Sequence, residues 1–554
     1  MILKSRAAIV SALLVASLLI GLAQVALLPP WEGFDETAHF SYVAQIADTG
    51  TWPQGKEPLS ADVEASARRT PAGTLLRPWG SYAAFKAASS ETLDAARHEI
   101  HGAPATARTW RPGQALNWQN QHPLLYYMLL APLHSATKGW SLASELFAMR
   151  AVSYLIAWSG LLLAAVAALR TTQPASPAAT ATVLAVGLWP LVFPMWFPEM
   201  ARVGNDSLMV PIVAAAWITA QPLLRGEGTA WRYAALGAIF GLGLLTKATI
   251  LPVAAAVSLF LARPLLPALR SGKPVWPLAA KLLVMFAAMC LIAGWWYGIK
   301  LARTGSLIGS YDVMAMHARG GLLAGIRENA SFWVLARIPW VLGITFLWGG
   351  TWSFILPPLA AILPLAATTL IMAIGYWRFA TSRRLALADH VPLAAGIALL
   401  AALTYHSLVL MSVGPSGAPA YYLHSFAAIL APALGFGIAG ALSRRWLAIP
   451  LLGLLLYPLL FLIVAAAVQA MVFAGCGHIS PAGGYYAFSS IAECVTQWPT
   501  IHRHLSVLGF PKTALTFFAA GWIVALIGLS SAVRALRAEI AEPSQKAARA
   551  KFAG

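Results

Sequence analysis

Residues 29–42, PPWEGFDETAHFSY, place Glu32, Asp35, Glu36 and His39 within eight positions, directly after the first long apolar run of the chain. Carboxylates are costly at the edge of a hydrophobic segment, so those found there serve acid/base work, ion binding or pairing. A carboxylate that stays ionised within reach of a hydroxyl acts as a general base. Asp35 and Glu36 are adjacent, so their side chains diverge; one is the candidate base, and the other orients it or binds substrate. An Asp that only caps the helix carrying His39 and Tyr42 is the plain alternative. A second polar knot, PEMARVGNDS at 198–207, supplies Glu199, Arg202, Asn205 and Asp206, the last at the start of an apolar segment where capping is again the simplest role. Lys247 interrupts GLGLLTKATILP at 241–252. A lysine so placed pairs, faces water, binds a lipid phosphate or snorkels to the interface.

Other chemistry-bearing groups are sparser. Arg303, Arg319 and Arg327, with His317, make the stretch 300–330 basic, which suits a phosphate or anionic headgroups. NQHPLLYYMLLAPLH at 120–134 joins His122 and Pro123 to an amphipathic aromatic run that reads as a surface helix beside the bilayer. Tyr421, Tyr422 and His424 open a further apolar segment, equally as an aromatic belt or as a site. Cys476 and Cys494 share a polar stretch while Cys290 lies in an apolar one. A Cys476–Cys494 disulfide is expected if that stretch faces an oxidising compartment, and two thiols otherwise. No cysteine and histidine spacing matches a structural zinc site.

These groups need a scaffold, and composition says which. With 554 residues, 59% hydrophobic, 10% charged and a mean hydropathy of +0.69, the chain uses lipid as solvent. Long Ala/Leu/Val runs without period-two alternation predict helices and exclude a porin-type barrel. A net charge of +18 would suggest nucleic acid in a soluble protein, but its distribution follows the membrane instead. The clusters around Lys4, Arg170, Arg225, Arg263–Lys281, Arg378–Arg384 and Arg444, with the tail from Arg534, hold 19 of the 38 basic residues against four acidic ones. They mark the cytoplasmic side.

Fourteen apolar segments are visible, but fourteen crossings put basic clusters on opposite sides. Treating 121–137 and 332–350 as juxtamembrane or re-entrant helices restores the pattern and leaves about 12 spans with both termini inside. The expected layout is an all-α integral membrane bundle: a retained first helix (1–28), a large outer loop (29–144), spans with a second acidic loop (145–299), an outer loop with a juxtamembrane helix (300–352), spans (353–472), an outer loop (473–512), and a last span with a basic tail (513–554). The first outer loop is expected to be partly helical, with Trp52, Trp79, Trp110 and Trp118 as interfacial anchors.

Taken together, these landmarks resemble the GT-C glycosyltransferases. FDETAHF at 34–40 is similar to the FDE-x-HF pattern in the first lumenal loop of protein O-mannosyltransferases. HPLLYY at 122–127 resembles their HPPL element and an element of the lipid A aminoarabinose transferases. VGNDSL at 203–208 and GLLTK at 243–247 resemble a bacterial GT-C-like membrane family. The resemblance implies transfer of a sugar, with inversion, from a polyprenyl-phosphate-linked donor to an acceptor in the periplasm, which is a cell-envelope glycan, a lipid or a protein. It further implies an inner-membrane location and a site facing out. Asp35 becomes the catalytic base with Glu36 beside it, and Asp206 or Glu199 a second-loop acidic partner. His39, His122, Asn205, Tyr421, Tyr422 and His424 become substrate contacts, while Lys247, Arg202 and Arg303 balance the leaving phosphate, so that a divalent metal is compatible but not required. Two departures stand out: Leu124 replaces the second Pro of HPPL, and Tyr421-Tyr422 stand where the bacterial group tends to have Arg-Tyr. A transporter or lipid flippase is the main rival reading, but the inverted repeats it needs are not visible. An O-antigen polymerase or ligase would carry its key basic residues late in the chain.

Overall fold

The computed structural model describes residues 2–53, 57–70, 82, 85, 88–171, 177–382, 385–414, 417–476, 478–479, 486–487 and 491–552. Trp79, Arg383 and Arg384 lie outside the described residues. The protein is an all-helical, multi-pass membrane protein: among the described residues ten helices are long and apolar enough to cross a bilayer. Each coincides with an expected span. The other two expected spans, 178–198 and 231–246, are instead the shorter helices Ala179–Val192 and Ala230–Leu244. The physical reason is local. A bend at 193–195 closes the first after Pro190, and the turn at Thr246–Lys247 closes the second.

Both segments excluded by charge behave differently from a straight crossing. Leu125–Thr137 is a 13-residue helix, and Phe332–Trp348 is bent by 108° from Leu322–Asn329. The first loop contains Glu36–Thr49, Ala61–Arg69 and Ser90–His101 as helices, and also an antiparallel two-stranded ladder of Pro58–Ser60 with Pro112–Leu116.

Lipid, not water, explains the outer surface. Leu259, Leu291 and Trp377 project outward from span helices, where hydrocarbon solvates them at no cost. Helices in such a medium associate by close packing instead. The Leu359–Ser382 and Ala427–Leu442 helices cross where a Cβ on Gly440 would sit 1.9 Å from the Gly375 carbonyl oxygen, so only glycine permits the approach. The Ala420–Leu442 region is the most enclosed span, whereas Trp276–Thr304 lies at the periphery. Ile2–Leu27 pairs along much of its length with Pro511–Phe552.

Candidate functional site

Helix ends assigned to one side by charge do meet at one end of the bundle. The loop after Ile2–Leu27, the turn before Asp206–Leu224 and the turn after Ala230–Leu244 converge there, and bring the two acidic knots and Lys247 together.

Within the first knot, two of three carboxylates are consumed by the fold. Glu32 accepts from the Tyr82 hydroxyl (2.6 Å), the Thr351 hydroxyl (2.5 Å) and the Ser353 amide (2.9 Å), tying this loop to residues 351–353. Glu36 meets Arg150, whose Nε and Nη2 donate to its two oxygens at 2.7 and 2.5 Å, while the Val203 amide adds a bond at 3.2 Å. Arg150 also donates to the carbonyls of Leu28 and Pro29, so one buried guanidinium closes the loop onto the Leu142–Thr171 helix. Sequence reasoning missed Arg150, which had been read only as part of a span.

Asp35 is different. It precedes Glu36–Thr49 at the capping position, yet its side chain makes no cap bond. Its Oδ1 accepts from the Trp118 indole at 2.6 Å, and the side chain is half-buried. Trp118 is therefore a partner of the candidate base, and its own ring stacks on Trp352. The backbone of Asp35 is left-handed (φ 55°), as is that of Trp31 (φ 65°) and Phe354 (φ 49°). Bulky residues rarely adopt this region, at a cost of roughly 1–3 kcal/mol each. All three lie in the two contacting loops, where Phe34 packs on Phe354 and on Tyr421. Burial raises the Asp35 carboxyl above the usual aspartate range, with Arg202 and the Trp118 bond opposing.

The second knot forms a buried charge chain beside it. Arg202 donates through Nη2 to Glu199 (2.6 Å) and Asp206 (2.9 Å), and through Nη1 to the Phe34 carbonyl (2.9 Å). Gly204 leaves room for this guanidinium: a Cβ would lie 2.2 Å from Arg202 Nη1 and push it from its bonds. Lys247 donates to both oxygens of Asp206 (2.9 and 2.7 Å) and rests over the Tyr422 ring at 4.1 Å. Ser425 adds a bond to Asp206 at 3.1 Å. Asp206 is thus the centre of the chain and no mere cap. Burial pushes Glu199 up to about 7, against the pull of Arg202; burial also opposes the charge on Arg202, but the Glu199 and Asp206 carboxyls outweigh it and hold the Arg202 proton firmly.

The remaining expected residues divide. His122, half-buried, is held neutral near this cluster, its pKa lowered to about 3 by burial and by Lys247. Asn205 donates to the Thr246 carbonyl at 3.2 Å while its buried Oδ1 lacks a partner. His39 bonds Tyr127 at 2.8 Å and stacks with it, which makes it part of the wall. His424 is bonded to Phe346 and Trp189 among aromatic rings, away from the carboxylates. Arg303 ends the Trp276–Thr304 helix, exposed and outside the cluster. Cys476 and Cys494 lie close to each other, with Cys494 Sγ 3.8 Å from the Cys476 carbonyl oxygen. Among the described residues no three His, Cys, Asp or Glu side chains gather to hold a metal. The cavities of about 360 and 380 Å³ open elsewhere, and neither is lined by Asp35.

No family model matches the chain, and no curated protein does. Among solved structures the chain is similar to ArnT from Cupriavidus metallidurans bound to undecaprenyl phosphate, at 16% identity over 85% of this chain and 75% of that one, with a TM-score of 0.38. The apo state of the same protein aligns over the same shares at 16% identity, with a TM-score of 0.35.

Proposed function

We propose that the protein is a GT-C-type glycosyltransferase of the bacterial inner membrane, with its site facing the periplasm and both termini in the cytoplasm. It moves a sugar from a polyprenyl-phosphate-linked donor to a periplasmic acceptor. One observation carries the reading: Asp35 is the carboxylate of the first knot that the fold does not consume, held in a strained backbone beside a chain of cations. Glu36 is reassigned by the same observation, from catalysis to holding the loop.

In this reaction the acceptor hydroxyl displaces Trp118 from Asp35. Asp35 removes the hydroxyl proton as the oxygen attacks the anomeric carbon from the face opposite the phosphate. The bond from that carbon to the phosphate oxygen breaks, and the lipid phosphate leaves with the electron pair, so configuration inverts. Lys247 offsets the negative charge that develops on the phosphate, and Arg202, through the Phe34 carbonyl, fixes the segment that carries Asp35. His122, neutral at the cluster, and Tyr422 complete the substrate contacts. Asp35→Asn in normally inserted protein tests the reading: surface glycans compared by mass spectrometry are expected to match those of a deletion strain. Wild-type glycans in the variant, against a clear change in the deletion strain, would reject the base assignment. For orientation, Trp140→Cys is expected to react with impermeant reagents from outside and Ala380→Cys only from inside.

A further inference from the structure

Away from the Asp35 cluster, a groove of about 360 Å³ runs between the first helix, the Tyr457–Met471 helix, the Trp498–Leu508 helix and the start of the last helix. Ala, Leu and aromatic side chains make most of its wall, as in any lipid-facing cleft. Two amides break the pattern: Gln24 is 8% exposed and Gln469 only 1%. Gln24 Nε2 and both amide atoms of Gln469 are buried with no hydrogen-bond partner. Each such group left unmade costs about 1–3 kcal/mol, and the two Nε2 donors among them call for a ligand that brings an acceptor into this groove.

Position along the helices indicates which ligand. Gln24 stands three residues before Leu27, and Gln469 two before Met471, so both lie ~3–5 Å inside their helix ends by the helical rise. Lys512, the second residue of the last helix, and His502 line the same groove. Beyond the amides the lining is hydrocarbon, including Ile20, Leu462 and Phe518. From mouth to depth the order is cation, amide, apolar wall. A phospholipid presents its complement: phosphate, ester carbonyl, acyl chain.

We infer that this groove is a specific site for an anionic ester phospholipid of the surrounding bilayer. One acyl chain fills it, the ester carbonyl accepts from the amides of Gln24 and Gln469, and the phosphate sits beside Lys512. The inference does not depend on the transfer reaction, because none of these residues takes part in it.

Native mass spectrometry of the full-length protein, released from detergent and titrated with defined lipids, tests the site. Phosphatidylglycerol is expected to be retained as one tight copy. Its ether-linked analogue, which keeps charge and chains but lacks the carbonyls, is expected to bind roughly tenfold more weakly. Gln469→Leu, which exchanges an unmet amide for an apolar side chain and so leaves folding intact, is expected to bring the ester lipid down to the level of the ether lipid without changing the latter. Lys512→Glu is expected to abolish the preference over phosphatidylcholine. Equal binding of ester and ether lipids, an unchanged preference in Gln469→Leu, or graded binding of many copies with no tight one would each overturn the inference.

Discussion

Glu36 and Asp35 are neighbours with opposite fates. The region around Glu36 is a clamp: every oxygen has donors, all three nitrogens of its partner Arg150 donate, and the result is a fixed loop. The region around Asp35 is left unfinished. One indole holds it, the backbone is strained, and its nearest cations are shared along a chain from Glu199 to Lys247. Acidity at a membrane edge is therefore a poor guide to chemistry by itself. What sets the proposed base apart from its neighbour is the share of its hydrogen-bonding capacity that the fold leaves over.

The contrast predicts separable losses. Asp35→Asn is expected to lower transfer by about 10²–10⁴-fold, the usual worth of a general base, with melting temperature nearly unchanged; a fall in stability as large as the clamp variants show would erase the distinction. Arg150→Met leaves Glu36 a buried, unpaired charge, and its cost of about 3–5 kcal/mol should appear as lost folded yield in a thermal or protease assay. Restoring yield by adding Glu36→Gln to Arg150→Met, with activity recovered, would show that the clamp is purely architectural. Lys247→Met removes the charge that faces the proposed phosphate. It should reduce turnover more than tenfold, and also destabilise Asp206, so the informative readout is turnover per folded molecule.

The smallest effect is a pH shift. Because burial raises Asp35, the ionised base is lost as pH falls through a value above that of ordinary aspartate. The acid limb of the rate profile should lie correspondingly high. Trp118 donates to the ionised form, so Trp118→Phe is expected to move that limb to still higher pH. For stability the sign is opposite: a raised carboxyl favours the folded state below its unfolded value and loses that contribution as pH rises through the folded one, and Asp35→Asn should flatten this slope. An unshifted limb in Trp118→Phe would leave the indole as packing only.

Much of this architecture is legible in the sequence. The apolar segments give the helices, and charge parity places Asp35, Glu199, Asp206 and Lys247 at one end, where the helix ends meet. Misread features share a cause: their partners are remote in sequence. Arg150 is 114 residues from Glu36 and sits inside an apolar run, so nothing local marks it as a clamp. Trp118 has the composition of a belt residue and the position of a site residue. The ladder between Pro58–Ser60 and Pro112–Leu116 depends on a pairing across the whole first loop, which no periodicity of period two in such short strands can announce. The second acidic knot was legible as a group because its charges lie at i, i+3 and i+7, so that Arg202 is three residues from Glu199 and four from Asp206 and reaches both.

The pairing of the first transmembrane helix with the last sets an order of events during synthesis. Ile2–Leu27 enters the bilayer while its main partner, beginning at Pro511, has yet to leave the ribosome. The segment bearing Asp35 hangs from that helix, so its final seat waits on the arrival of a partner almost five hundred residues further along.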